Sequence, residues 1–468
     1  MYTYRRKYRI GPGSIFFMIL FILITIGMGY LFYMDKGNFW DMLPFVCIPA
    51  IIISLILTIF NFTRRTRGSS FFVVFFILSL TGLILSNFFG PSALYHSAQD
   101  SFENKKYSEA ITNYKTIVVR YPNSRYSDDS LKNLANSYYL NQDYENTIIY
   151  FKKAIENKIL NEQDLEVEKI FADSYIKIAE DNFEKQKYET SGENYLNAVE
   201  YFNKIKLQFP DTNDAFISAY KIPEYLFKAA TCFNNLKNWE KTEQILNNII
   251  TNYNESGFSQ KAKELLFNTY ISKSSQLKDN KDYEESIAEF LKIFDLDEEI
   301  QSSNIYSLSY YKRLIFSDIH FPMIKNSADK LYNAGEYKKA LFLYNIILEN
   351  YPDLEPSLVP FIAGCKIKIV AGSNYEIITP TDPIGKFNSK ENSKIIFDNK
   401  TSFKLDIYIG GPDYKIIKLE KESKTEIEIK SGTYEIAVEF ENTDKAPFYG
   451  KITYLVGKKY QEEYKIIE

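Results

Sequence analysis

Six times the chain writes an aromatic residue, two residues, a small residue, three residues, then a bulky apolar one. The copies are Tyr107-Ala110-Tyr114, Tyr144-Thr147-Phe151, Tyr195-Ala198-Phe202, Trp239-Thr242-Leu246, Tyr283-Ser286-Phe290 and Tyr337-Ala340-Tyr344. An apolar residue follows three positions later each time, as with Ile117 and Ile347. Three copies close on an aromatic-proline pair: Tyr121-Pro122, Phe209-Pro210 and Tyr351-Pro352. Ala110, Tyr114 and Ile117 stand at i, i+4 and i+7, one face of a helix. The small residue admits a neighbouring helix, the aromatics fill the groove between paired helices, and the proline stops the second one. Each unit is an αα-hairpin that buries its apolar face only against the next unit, so the pattern predicts a stacked helical array. Ala98, Ala135 and Ala230 mark matching first helices upstream of three copies.

The units resemble tetratricopeptide repeats over about residues 92–352, with the Tyr, Ala, Phe/Tyr and Pro positions at 107, 110, 114 and 122 and again at 337, 340, 344 and 352. Thr147, Thr242 and Ser286 depart from the expected alanine. The small residues are separated by 37, 51, 44, 44 and 54 positions, against about 34 in the standard unit. The helices are therefore longer than usual or extra ones intervene, for example around Asn304–Ser317. The phrase Arg120–Asp128 resembles the long-helix repeats of bacterial envelope proteins, which implies a compartment and a role in binding other proteins. First helices line the partner groove in such arrays. Counting back from the motif puts Gln99, Lys132, Asn136, Tyr139 and Thr231 on that face.

Three stretches carry no charge and have spanning length, about residues 14–34, 42–63 and 70–90. Each supplies the roughly 20 apolar residues that cross a bilayer. The first is longer than the apolar core of a signal peptide, and two more follow it, so a retained anchor is expected. Six of the nine arginines sit at two places: Arg5, Arg6 and Arg9 before the first stretch, and Arg64, Arg65 and Arg67 before the third. After the third stretch no basic residue occurs until Lys105. Basic flanks stay in the cytoplasm. The N-terminus is thus expected inside, in a bacterial plasma membrane, with residues 92–468 on the extracytoplasmic side. Gly90-Pro91 reads as the end of the span, with the first repeat helix starting at about Ser92.

Beyond Pro356 the pattern changes. Cys365–Val370 reads as a last helical turn, and residues 371–393 read as linker because Gly, Pro, Ser, Thr, Asn and Asp dominate. Then apolar residues alternate with polar ones: Leu405/Ile407/Ile409, Ile427/Ile429 and Ile436/Val438/Phe440. Turn residues at Gly410–Asp413, Ser431-Gly432, Asn442–Asp444 and Val456-Gly457 separate the runs. About seven short strands forming a β-sandwich are expected. The phrase Ser431–Ile436 resembles Ig-like accessory domains of bacterial surface proteins. The expected organisation is multidomain: a membrane anchor over 1–91 with three transmembrane helices, an all-α solenoid over 92–370, a linker over 371–393 and an all-β sandwich over 394–468.

Site chemistry is sparse. The two histidines, His96 and His320, are far apart in sequence and form no zinc pattern. Cys47, Cys232 and Cys365 form no C-x-x-C. Outside the cytoplasm a 232–365 disulfide is one option, and two buried thiols are the other. No phosphate loop, dinucleotide fingerprint or nucleophile elbow occurs. Net charge is −4, and lysines alternate with acids, which disfavours nucleic acid. No cofactor, metal or catalytic residue is expected. The expected partners are proteins, with the lipid bilayer contacted through residues 14–90. Two other readings remain: a cytoplasmic-facing adaptor, and an envelope enzyme acting on wall polymer.

Overall fold

The computed structural model describes residues 39–63, 69–161, 163–296, 300 and 305–465. They divide into two compact units, Met1–Leu236 and Lys237–Glu468.

In the first unit, α1 (Phe39–Thr63) packs on α2 (Ser69–Glu103). Gly82 sits so close to Cys47 that an added Cβ would lie 2.9 Å from its Sγ. Of the three expected spans, one qualifies among the described residues: Phe72–Glu103, within α2, is long and apolar enough to cross a membrane. In α1 the apolar part is the shorter Leu43–Ile59, and residues 14–34 lie outside the described residues. Among the described residues the expected spans at 42–63 and 70–90 are corrected to this one.

No helix starts at Ser92. Helix α2 runs through Pro91 into the first repeat without a break. A proline removes one backbone donor, and Leu94 and Ala98, 1% and 0% exposed, seat the segment beyond it in the repeat core.

The array then alternates first and second helices: α3 (Tyr107–Arg120), α4 (Ser127–Leu140), α5 (Tyr144–Glu156), α6 (Leu165–Glu184), α7 (Tyr188–Gln208) and α8 (Asn213–Asn235). One apolar cluster joins Ala98, Ala110, Tyr114, Leu134 and Ala154, and a second joins Ala135, Phe151 and Phe171. Each repeat thus completes its core with the next.

The second unit holds α9 (Trp239–Asn252), α10 (Gly257–Asp279), α11 (Tyr283–Leu291), α12 (Ile305–Phe316), α13 (Phe321–Asn333), α14 (Tyr337–Asn350) and α15 (Glu355–Ala371). Helix α12 is the intervening helix that the long last spacing predicts.

The second helices share one start. Tyr107, Tyr144, Tyr188, Trp239, Tyr283 and Tyr337 each open one. The third copy is therefore Tyr188-Ser191-Tyr195-Ala198, seven residues before the register read from sequence, and the spacings become 37, 44, 51, 44 and 54. Helix α7 is two turns longer than its counterparts, so its C-terminal end repeats the pattern and masks the true start.

Two residues before each start lies a left-handed residue: Lys105, Gln142, Gln186, Lys237, Lys281 and Gly335. In five of these turns the backbone closes in one way, as when Gln186 N–H bonds to the Phe183 carbonyl and Lys187 N–H to that of Asn182. This is a Schellman-type stop. Rings pack edge-on across the turn in Phe102–Tyr107, Tyr139–Tyr144, Phe183–Tyr188 and Tyr332–Tyr337. The small positions Ala110, Thr147, Ser191, Thr242, Ser286 and Ala340 are all 0% exposed. The threonines bond locally: Thr147 and Thr242 donate to the carbonyls of Asp143 and Asn238, each at 2.8 Å. Ser191 donates to the carbonyl of Ala179 at 2.8 Å.

The chain ends in two sheets, ordered β1-β8-β7-β4-β5 and β2-β9-β3-β6. The strands are β1 (Glu376–Ile377), β2 (Gly385–Lys386), β3 (Asn392–Asn399), β4 (Leu405–Gly410), β5 (Tyr414–Leu419), β6 (Lys424–Lys430), β7 (Gly432–Phe440), β8 (Phe448–Tyr454) and β9 (Lys458–Tyr464). Both sheets contribute to one core that includes Phe397, Ile407, Ile436, Ile452 and Tyr460. Most pairs are antiparallel, while β1–β8 and β3–β9 are parallel. The Tyr434 hydroxyl donates to the Lys430 carbonyl, pinning the β6–β7 corner.

Residues 371–393 are more than a linker, because they supply β1 and β2. Ile378 is buried, and its N–H bonds to the Tyr449 carbonyl. Helix α15 is a full helix that packs Ala363, Ile367 and Val370 on Tyr408 and Ala437 of the five-stranded sheet. Lys366–Glu439 and Lys368–Glu435 flank that contact at 2.6 and 2.8 Å.

Candidate functional site

The five groove residues separate into one stripe and two outliers. Lys132, Asn136 and Tyr139 follow one another at i, i+4 and i+7 on α4. Lys132 is exposed, and the other two are half-buried. The Tyr139 hydroxyl donates to Asp173 Oδ2 on α6 at 2.8 Å, tying two consecutive first helices. Burial, then the Asp173 carboxylate, raises the Tyr139 pKa and keeps the phenol protonated. Gln99 is half-buried on α2 and Thr231 on α8, where the Thr231 hydroxyl donates to the Phe227 carbonyl. The structure groups the α4 residues and leaves Gln99 and Thr231 on other helices.

A cavity of about 380 Å³ opens between α5, α6 and α7, and no groove residue lines it. Its walls include Ile155, Phe171 and Tyr201 together with Lys152, Glu168 and Lys204. Phe171 and Tyr175 both stack on Tyr201, with centroids 4.8 and 5.6 Å apart. Glu168 is 5% exposed, and its Oε2 has no hydrogen-bond partner. Burial pushes its pKa up to about 7, against an opposing pull from Lys204. The sequence signal for this residue is its place beside Val167 and Phe171 on the inward face of α6, where an acid is out of character. A smaller cavity of about 260 Å³ includes Asp295, Lys339 and Lys368. Its lysines are occupied, Lys339 by Asp295 at 2.7 Å and Lys368 by Glu435.

Among the described residues no group of three or more His, Cys, Asp or Glu could hold a metal. His96 and His320 are exposed. The three cysteines are free and buried, so the structure takes the thiol option over the 232–365 disulfide. Burial pushes the Cys365 thiol up to about 12, far from a reactive thiolate.

Family comparison agrees with this architecture. Residues 89–216 match the YfiO family, described as an outer membrane lipoprotein, and residues 224–256 match a tetratricopeptide repeat family. These matches cover about a third of the chain and support tetratricopeptide repeats over that part, with a C-terminal sheet region beyond it. No curated protein gives a match. Among solved structures, a tetratricopeptide repeat protein from Parabacteroides merdae is 10% identical, with 59% of this chain and 98% of that one covered and a TM-score of 0.22. Naa15/Naa10 bound to HypK-THB is 13% identical, with 60% and 46% covered and a TM-score of 0.18. Superpositions this loose add nothing to the fold description. The family matches support a protein-interaction scaffold, and the lipoprotein match with the apolar helix supports an envelope, membrane-associated setting.

Proposed function

We propose that this chain is a membrane-anchored scaffold whose repeats hold protein partners on the extracytoplasmic side, without chemistry of its own. The observation that carries the reading is α2, one helix that is apolar at its start and part of the repeat core at its end. Its apolar part is little buried, and Val74, Leu78, Ile84 and Phe88 are exposed, which suits a lipid neighbour and not a soluble core. Orientation needs only this helix: Arg64, Arg65 and Arg67 precede it, and no basic residue follows before Lys105.

The anchor comprises residues 1–91, and the array and sheets beyond it face outward. Gln99, Lys132, Asn136, Tyr139 and Thr231 belong to the partner groove, with the α4 stripe at its centre. The test is protease added to intact cells, or to spheroplasts where an outer membrane is present. Digestion of residues 92–468 is expected. Protection until lysis, with digestion afterwards, reverses the orientation and makes the cytoplasmic adaptor the correct account.

A further inference from the structure

We propose that the cavity between α5, α6 and α7 receives an arginine side chain of a protein partner, with Glu168 as its counter-ion. A carboxylate 95% removed from solvent is costly unless something compensates it. Among the described residues its Oε2 has no hydrogen-bond partner, and Lys204 contributes only a charge–charge pull. Lys204 Nζ bonds to Glu200 at 2.9 Å and lies 4.3 Å from the Tyr201 ring centroid. Lys152 donates to the Tyr175 hydroxyl at 3.2 Å. Both nearby cations are engaged, and Glu168 Oε2 is left without a donor beside an open cavity.

The wall chemistry selects among cations. Phe171 and Tyr201 line the cavity as a stacked pair, with Tyr175 stacked on Tyr201 behind them. A guanidinium is planar, stacks on such rings, and offers a fork of donors to a carboxylate. An ammonium meets only part of this, and an anion meets an unpaired carboxylate. The other charged groups around Glu168 are Lys152 and Glu156 on α5 and Glu200 and Lys204 on α7. Binding therefore strengthens as pH rises through the Glu168 pKa, near 7 in the empty cavity. The groove residues contribute nothing to this cavity, so its failure would leave the scaffold reading standing.

The test uses the full chain in lipid nanodiscs and two peptides, acetyl-Gly-Arg-Gly-amide and its citrulline counterpart, which keeps the shape without the charge. At about pH 8 the arginine peptide is expected to bind at least ~10-fold more tightly, the change that one buried charge pair readily provides. Lowering the pH to about 5.5 should remove that advantage as the carboxylate protonates. Glu168→Gln should bring the arginine peptide to the citrulline value. Should that variant fail to fold, the peptide comparison and the pH series on the unaltered chain decide the matter. Equal binding of the two peptides overturns the proposal, as does no binding up to about 10 mM or an unchanged preference in Glu168→Gln.

Discussion

Two glutamates are almost equally buried in this molecule and are treated differently. Glu462, in the sheets, is 2% exposed and accepts hydrogen bonds from Thr381 at 2.9 Å and from Tyr454 at 3.1 Å. Glu168, among the repeat helices, is 5% exposed, and its Oε2 accepts none. Burial raises both pKa values, while Thr381 and Tyr454 pull that of Glu462 back down. The sheet region satisfies this buried acid from within, as a self-contained core does. The array pairs its buried Glu289 with Lys273 and Lys292 but leaves Glu168 Oε2 without a hydrogen-bond partner, as a surface waiting for a partner would. The difference also follows from architecture. A closed core shares every contact, whereas a stacked array shares each contact only with the next repeat.

The largest expected effect tests that last contrast. Phe397 and Phe151 are 0% and 1% exposed, and replacing either by alanine should cost about 3–5 kcal/mol. Hydrogen exchange should rise across all the strands β3 to β9 in Phe397→Ala, and only from α4 to α7 in Phe151→Ala. Exchange rising throughout the first unit in Phe151→Ala would break the comparison.

Next in size, Tyr454→Phe removes a donor from a buried acid and should cost about 1–3 kcal/mol. Glu168→Gln removes no bond and should leave stability unchanged or improved near neutral pH. Denaturant unfolding of the two variants, followed by probes in their own regions, measures the gap.

The sign of the Glu168 effect sharpens it. Its folded pKa lies above the ordinary 4.5, so folding favours the protonated acid. The contribution is complete below about pH 4.5 and is lost as pH rises to about 7. Melting of the unaltered chain and of Glu168→Gln should therefore coincide at acid pH, with the variant pulling ahead between those values. Parallel curves would mean that the carboxyl is solvated or paired in solution.

Much of this fold is legible in the residues, because the small-aromatic spacing and the period-two alternation are direct consequences of helix and strand geometry. The third repeat shows where reading fails. Tyr188-Ser191-Tyr195 and Tyr195-Ala198-Phe202 both fit the motif, since seven residues are two turns and bring the same face round again. The turn breaks the tie: only Tyr188 has a left-handed residue two positions before it and Phe183 five before. Residues 371–393 fail for another reason. Edge strands of two residues carry too short an alternation to be seen, and their pairing is set by β8 and β9 far along the chain. Glu168 is legible only as an acid out of place beside Val167 and Phe171, because its burial depends on three helices at once.

The smallest effect concerns those turns. Gly335 is the one glycine among the six left-handed turn residues, with φ at 83°. Gly335→Ala should cost about 1 kcal/mol, and Gln186→Gly should cost nothing or stabilise slightly. Thermal unfolding of the two variants checks both.

The central claim is that the repeats engage a protein partner outside the membrane. Photo-crosslinking in living cells tests it most directly, with a photoreactive residue placed at Lys132 or Asn136 on the α4 stripe and, as control, at Lys185 in the α6–α7 turn. The account predicts a discrete crosslinked envelope protein from the first two positions and none from the third. No adduct from the stripe, or equal adducts from all three, would contradict it.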